Sequence, residues 1–514
     1  MESAGRRIAK GSMWLSAGQL VSTAIAFAGS IVIARLLTPS EYGLIGVALT
    51  FPGLLLGLLD LGVSEAIIRF TPQDRSRRYV SVAFTFKTVT AAATSLLVFT
   101  LSDYMAIALS RPYVAPMIRV LSIYVLGEIV AGAASQVLVG AGEYRKASLL
   151  SMVRSSARVV ASVLLINMGL GVYGSTWGFS IASASALAIS LIYVSKYLGN
   201  VRFEVKVLGE IMRFSLPLYI PTILGLPLNQ VVSIFLARYA TNVELGNYSV
   251  ASNLLVPLSI VGGAIATSIY STLPLLLGRE GKLREVVYKS TVYTSIVVLP
   301  IAMGLVVFSR PLTYLVYGAQ YSIAPTYLSL SALTGLTAVL GSYVIGSYLK
   351  SVGETVKAMK ISLVNYAIYV PLALLLIPTY RVVGLIVASV VAGFSSTLYG
   401  LHVVRRDFEL ELVTKRNLVV LGALSLPAVA AWLAGFLSLS SITVKFLLGV
   451  TVYLVSLVLV LPIVIERSEI LELIEITKSV ELLSFIAPKI LLTILVISNL
   501  LSYAKSRFSA NKYG

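Results

Sequence analysis

The sequence predicts an all-α polytopic membrane protein with about fourteen spans. It places them in two pseudo-symmetric six-helix lobes followed by two extra C-terminal helices. Three observations carry this reading. Apolar runs of transmembrane length, roughly 20 residues, recur along the whole chain. Only 12% of residues are charged, where a soluble protein carries about 25%. The third is an internal repeat, which sets architecture wherever it occurs. ARLLTPSEYGLIGVA, residues 34–48, returns without a gap as ARYATNVELGNYSVA, residues 237–251.

The spans follow in order. The basic N-terminus (Arg6, Arg7, Lys10) precedes a first run over 12–36. That run is too long for a signal h-region, so it reads as the first span. The second covers 43–68, the third 80–101 and the fourth 115–139, with Pro112 and Pro116 breaking the connection before it. The turn GEYRKA (142–147) leads to the fifth span, 148–168, and the sixth is 174–195. The second half opens at 214–238 and continues over 247–277, 290–309, 323–349, 361–379 and 384–404. Two spans at 417–437 and 444–464 have no counterpart in the first half. The run from 482 to 502 contains Pro488 and Lys489 and suits either a further span or an interfacial helix.

A second repeated pair, GEYRKA (142–147) and GETVKA (353–358), falls one six-span unit apart, like the first. Six spans return the chain to its starting side, so the repeats are parallel, related by an axis along the membrane normal. The expected organisation is an N-lobe over 1–195, a cytoplasmic linker over 196–213, a C-lobe over 214–404, two helices over 405–464 and an amphipathic or interfacial tail over 465–514.

The net charge of +18 comes from basic residues concentrated in alternate loops. This is the pattern of membrane topology rather than of nucleic-acid binding, and it puts the N-terminus in the cytoplasm of a cell-membrane protein. There is no cysteine and one histidine, His402, so disulfides and Cys/His metal sites are not expected. The loops are too short for an extramembrane catalytic domain, and no enzyme activity is expected.

The residues KGSMWLSAGQLVSTAIAFAGSIVIARLLTPSEYG (10–43), the Asp60-Leu61-Gly62 turn and GAGEYRKA (140–147) resemble the polysaccharide transporter family. These are O-antigen-type flippases within the multidrug/oligosaccharidyl-lipid/polysaccharide superfamily. The resemblance extends over the whole chain in span count and duplicated layout. It implies two lobes in a V around a central cavity, and movement of a polyprenyl-linked sugar by alternating access.

Charges inside spans are costly and normally face a cavity or a partner. The fifth span places Ser151, Arg154, Ser155, Arg158 and Ser162 on one face. Arg158 lies roughly 15 Å from the start of that span, too deep to reach the surface easily. A guanidinium binds oxyanions bidentately, so the face suits phosphate or an acidic sugar. The alternative is a structural ion pair with Glu128 of the fourth span. Shifted along the GEYRKA–GETVKA match, Arg154 and Arg158 meet Asn365 and Tyr369. The first lobe is therefore expected to hold the charged head group.

Lys87 and Arg119 add basic candidates, each near enough to a helix end to snorkel. Asp60 and Glu128 are candidate sites for a coupling proton or sodium ion, or neutralise Arg158. The seventh span carries Pro217, Pro221 and Pro227 followed by Asn229 and Gln230, and is expected to bend or break as a cavity-lining hinge. Arg35, Arg238, Glu41 and Glu244 are expected to cap and orient helix ends.

These readings favour a flippase for lipid-linked oligosaccharides that contacts membrane lipid, works as a monomer and cooperates with other glycan-assembly proteins. The alternatives are a cation-coupled multidrug exporter and a lipid II-type flippase. An exporter of cations favours acidic, aromatic-lined pockets, which the arginine pair opposes.

Overall fold

A computed structural model describes residues 4–72, 77–199, 203–435, 442–466, 469–471, 493 and 495–496. No strand occurs among them. The first half contains α1 (Ala4–Leu36), α2 (Pro39–Leu58), α3 (Val63–Phe70), α4 (Arg78–Thr100), α5 (Ser102–Ala108), α6 (Ala115–Gly140), α7 (Tyr144–Leu165) and α8 (Gly171–Val194). The second contains α9 (Val205–Tyr239), α10 (Asn242–Leu254), α11 (Val256–Thr272), α12 (Glu280–Val307), α13 (Ser309–Val316), α14 (Ala324–Ala332), α15 (Ser342–Ser351), α16 (Thr355–Phe408), α17 (Lys415–Ala434) and α18 (Ile442–Val464).

The chain is a multi-pass helical membrane protein. Among the described residues, ten helices are long and apolar enough to cross a membrane, or eleven if a bent pair counts as one span. The expected count of fourteen is not reached by that measure. Two of the ten stretches are 54 residues long, Tyr144–Tyr197 and Thr355–Phe408. Each contains a backbone break, at Gly169 to Gly171 and at Arg381. The tail from 465 and the apolar run over 482–502 lie almost wholly outside the described residues.

Both repeated motifs encode helix ends. In the first, Thr38 caps α2: its hydroxyl accepts from the Glu41 amide while Glu41 accepts from the Thr38 amide at 2.8 Å. Thr241 and Glu244 build the same reciprocal box on α10, at 3.2 and 2.7 Å. The T-x-x-E spacing is what this double bond requires. The motif's glycines serve packing. Gly43 and Gly246, repeat counterparts, face each other where α2 crosses α10, and a Cβ on either would strike the other helix's backbone.

GEYRKA and GETVKA encode the opposite end. Gly142 (φ 77°) and Gly353 (φ 83°) take the left-handed conformation that ends a helix. The following amides, Glu143 and Glu354, then bond back to the Leu138 and Leu349 carbonyls, each at 2.8 Å. Lys146 and Lys357 pair with Glu143 and Glu354 across this turn. Hydrogen bonds from Lys146 and Lys196 hold the Glu143 carboxyl well below the usual range, at about 2.

The chain divides into two compact units. The first comprises Met1–Asn253, Val316–Ile323 and Val370–Leu385; the second comprises Leu254–Leu315, Ala324–Tyr369 and Ile386–Gly514. The first therefore runs past the lobe boundary expected at 195. The reason is that α9 packs on α2: the Tyr219 hydroxyl donates to the Gly57 carbonyl at 2.6 Å, and Gln230 donates to the Thr50 carbonyl.

Small residues bring the helices of the first unit together, as expected where lipid supplies no hydrophobic drive for association. Gly18 and Gly29 of α1 meet Ser148 and Val159 of α7, and Ser22 bonds Ser151 at 3.1 Å. Within the second unit, Gly262 meets Tyr343, and the Tyr453 hydroxyl donates to the Pro300 carbonyl at 2.6 Å.

Breaks fall elsewhere than the prolines suggest. Of the bend or break expected in the seventh span, no break occurs: α9 remains one 35-residue helix across Pro217, Pro221 and Pro227. Proline is tolerated in a membrane helix when neighbours satisfy the freed carbonyls. The second span breaks instead at Asp60 to Gly62, where Leu61 (φ 51°) and Gly62 (φ 71°) are left-handed. The tenth span bends by 51° at Gly341, between Ala324–Leu340 and Ser342–Ser351.

Candidate functional site

The polar face of α7 is spent on three different partners. Ser151 bonds Ser22 of α1. Arg154 forms an ion pair with Glu128 of α6. Arg158, one turn further, makes no ion pair among the described residues. Its guanidinium carbon lies 4.7 Å from the centre of the Phe179 ring. Its Nε is buried with no hydrogen-bond partner. The two alternatives the sequence left open thus fall on different residues: Arg154 takes the structural pair and Arg158 is left over.

Two cavities open along this face, both within the first unit. The Arg154 cavity has a volume of about 240 Å3 and is lined by Gly132, Ser135, Gln136, Ser151 and Arg154 among others. The Arg158 cavity has a volume of about 310 Å3. Its walls include Ser30, Tyr42, Ser175, Phe179, Tyr248 and Asn253. Ser175 Oγ is also buried and unpartnered. Buried polar atoms are nearly always hydrogen-bonded. Two orphans in one cavity, one of them on a cation, leave polar atoms there that a ligand's oxygen atoms can satisfy.

The tyrosines around Arg158 are held in place. Asn253 Nδ2 donates to the Tyr42 hydroxyl at 3.1 Å. Ser30 and Tyr317 hydroxyls lie 3.1 Å apart, and Tyr321 donates to the Ala34 carbonyl at 2.8 Å. Tyr42 meets Tyr321 edge to face, with centroids 6.1 Å apart. Amphipathic rings suit the apolar faces and hydroxyl rims of sugars. Sequence reasoning missed Tyr42, Ser175, Phe179, Tyr248 and Asn253. Tyr42 lies inside the repeated motif and Asn253 is an amide in an apolar run, but neither is marked as a wall residue until the helices pack.

The other candidates are placed as follows. Lys87 does not snorkel. It is buried, 4% exposed, and bonds Asp60 Oδ1 at 2.7 Å, with Ser64 on the same oxygen at 2.6 Å. The break at Asp60 to Gly62 presents that carboxylate to α4, so Asp60 neutralises Lys87 rather than Arg158. Arg119 pairs with Asp103 and bonds Ser102 Oγ at 2.9 Å, lining neither cavity. Gln230 holds α2, and the Asn229 carbonyl accepts from Ser233 at 3.0 Å. Asn365 belongs to the second unit and bonds Ser396 at 3.2 Å. Arg35 Nε donates to the Val316 carbonyl at 2.8 Å, a structural role.

With this geometry in hand, comparison with known proteins assigns the family. A sequence profile described as "Polysaccharide biosynthesis protein" matches residues 32–325, more than half of the chain. The chain belongs to that family. Among relatives, it is 25% identical over 325 residues to "Succinoglycan biosynthesis transport protein ExoT" of Rhizobium meliloti (strain 1021). That match covers 63% of this chain and 65% of the relative, so the likeness spans about two thirds of its length. The chain is 21% identical over 444 residues to "Lipopolysaccharide biosynthesis protein WzxC" of Escherichia coli (strain K12), covering 86% and 87%. Among solved structures, "Lipid II flippase MurJ, inward closed conformation" matches with TM-score 0.69 at 15% identity, over 86% of this chain and 98% of that one. An inward-facing multidrug transporter of the MATE family matches with TM-score 0.61 at 15% identity, over 76% and 94%. The chain therefore shares the fold of these two structures.

Proposed function

We propose that this protein is a flippase that moves a polyprenyl-phosphate-linked oligosaccharide from the cytoplasmic to the outer leaflet by alternating access, for assembly of a cell-surface polysaccharide. The observation that carries the proposal is the unpaired Arg158 in a cavity lined by aromatic and hydroxyl groups. A half-buried cation whose Nε is fully buried and without a counter-ion is costly, and an anionic ligand removes that cost. The relatives named for succinoglycan transport and lipopolysaccharide biosynthesis support the same substrate class.

The residues divide the work. Arg158 takes an oxyanion of the head group, phosphate or sugar acid, in its fork of donors. Phe179, Tyr42 and Tyr248 cover sugar faces, and Ser175 accepts or donates to hydroxyls. Arg154 is a second, exchangeable station: an incoming oxyanion competes with Glu128 for it. Protonation of Glu128 would free Arg154, which makes Glu128 the stronger coupling candidate, for a proton or sodium ion. Asp60 is already neutralised by Lys87. An inside-negative potential adds about 2.3 kcal/mol per 100 mV for each charge moved, and favours outward passage of an anion. The N-terminus is cytoplasmic in this scheme, and a monomer suffices.

The test is flipping by purified protein in proteoliposomes. Lipid-linked oligosaccharides are expected to cross and cationic dyes to remain. Export of the dyes with no movement of any lipid-linked sugar would instead favour the multidrug-exporter reading. Movement of lipid II alone would favour the peptidoglycan-precursor reading.

A further inference from the structure

The second unit contains a cavity of about 330 Å3 that no part of the preceding scheme uses. Its lining includes Ser342, Gly346, Ile361 and Ser362. Shifted by the spacing between GEYRKA and GETVKA, these are the counterparts of Ala131, Ser135, Leu150 and Ser151, which line the Arg154 cavity. The two cavities are therefore the same feature of the repeat, one in each unit.

Their chemistry has diverged. Arg154 is replaced by Asn365, which bonds the wall residue Ser396 at 3.2 Å. Glu128, the counter-ion in the first unit, corresponds to Val339. A cation returns from another position: Lys350, which lines the second cavity, stands where the first repeat has Val139. Among the described residues Lys350 has no ion pair, whereas the neighbouring Lys357 pairs with Glu354 and Asp407. The first cavity is thus neutral overall and the second carries one positive charge.

The walls also became polar. In the first unit Ala131, Leu150 and Ala186 close an apolar cluster. In the second, Ser342 replaces Ala131, and Ser396 stands at the position of Ala186 once the turn at Arg381, one residue shorter than its counterpart at Gly171, is allowed for. The bend at Gly341, absent from the unbroken α6, lies directly beside this wall. The hydroxyls of Thr337, Ser396 and Thr397 donate to carbonyls of Thr334 and Gly393, at 2.7, 3.1 and 2.7 Å, and Thr337 shares its proton with Ser342 Oγ at 3.0 Å. Their oxygens therefore present lone pairs. Such a wall accepts hydrogen bonds from a ligand's hydroxyls, while Lys350 donates to an oxyanion.

We propose that the Lys350 cavity of the second unit binds the phosphate ester of a polyol, through Lys350 on the phosphate and the Ser/Thr oxygens on the hydroxyls. The volume lies within the range of small-ligand sites, about 300–1,000 Å3. That chemistry belongs both to a glycosyl or glycerol phosphate and to the head group of an anionic lipid. The inference does not rest on the flippase reading, because equilibrium binding and transport can fail independently.

The test is calorimetric titration of the full-length protein in phosphatidylcholine nanodiscs. The probes are glycerol 3-phosphate, glucose 1-phosphate, short-chain phosphatidylglycerol and inorganic phosphate. At least one polyol phosphate is expected to bind more tightly than inorganic phosphate. Binding of phosphatidylglycerol without its soluble head group identifies a bilayer lipid as the source. Binding of glucose 1-phosphate as well identifies the head group alone. Lys350→Gln is expected to weaken binding about tenfold or more, the scale of a lost charge-assisted hydrogen bond, and Lys350→Arg to retain most of it. Lys360→Gln, outside the cavity, is expected to have no effect. Ser342→Ala with Ser396→Ala, which restores the alanines of the first repeat, is expected to abolish the preference for polyol phosphates over inorganic phosphate. Equal binding by wild type and Lys350→Gln, an equal loss in Lys360→Gln, or no binding of any polyol phosphate overturns the proposal.

Discussion

Arg154 and Arg158 sit one helical turn apart, and the structure gives them opposite circumstances: one has a carboxylate, the other a cavity. Their sequence spacing could not decide this. Both arginines fall on the face of α7 that the sequence sets against Glu128, and the choice depends on the rotation of α7 against α6. Lys87 teaches the same lesson in reverse. Its nearness to a helix end suggested a surface role, but the break at Asp60 to Gly62 brings a carboxylate to it in the interior. Breaking a buried pair strands a charge and costs about 3 kcal/mol, whereas replacing both partners by apolar groups is close to neutral. Lys87→Met is therefore expected to lower thermal stability strongly, and Lys87→Met with Asp60→Leu to recover most of it. Unfolding in detergent measures both. A double variant no more stable than the single one would show that the pair is not the source of the loss.

At the scale of elements, the repeat is recorded in backbone conformation as much as in sequence. Gly171 (φ 51°, ψ −132°) and Arg381 (φ 50°, ψ −124°) reverse the chain in the same way at matching turns. Glu41 approaches Gly171, and its counterpart Glu244 pairs with Arg381 at 3.3 Å. An arginine thus occupies a conformation that glycine adopts freely, at a cost of about 1–3 kcal/mol. Its half-exposed ion pair returns less than about 1 kcal/mol. Arg381→Gly is expected to raise the unfolding temperature, and a fall would mean that the Glu244 pair outweighs the strain. The sequence showed both motifs and the turn positions, because glycine, capping residues and apolar length are local signals. It mislocated the broken spans, because proline count does not say whether neighbours satisfy the freed carbonyls. It was also silent on the tyrosine and asparagine wall around Arg158. Uncharged polar residues scattered over α2, α8 and α10 have no common pattern until those helices pack.

Across the whole molecule, the duplication supplies two copies of one helical plan, and the proposed sites lie where the copies differ. The first unit keeps a neutralised arginine and a lone arginine in adjacent cavities. The second is neutral at both matching positions, as the sequence shift showed, yet gains Lys350 from another helix. The family and the relatives named for polysaccharide assembly agree with the proposed flippase, and Arg158 is the residue on which the proposed anionic substrate turns. The most direct measurement is the flipping rate of lipid-linked oligosaccharide in proteoliposomes made with Arg158→Ala, Arg158→Lys and Arg35→Ala. Loss of a buried charge-assisted bond of about 1.5–3 kcal/mol predicts at least about tenfold slower flipping for Arg158→Ala. Arg158→Lys keeps the charge without the fork and should fall between that variant and wild type. Arg35→Ala, which removes the bond to the Val316 carbonyl outside both cavities, should stay near wild type. Wild-type flipping by folded Arg158→Ala, or an equal loss in Arg35→Ala, would contradict the account.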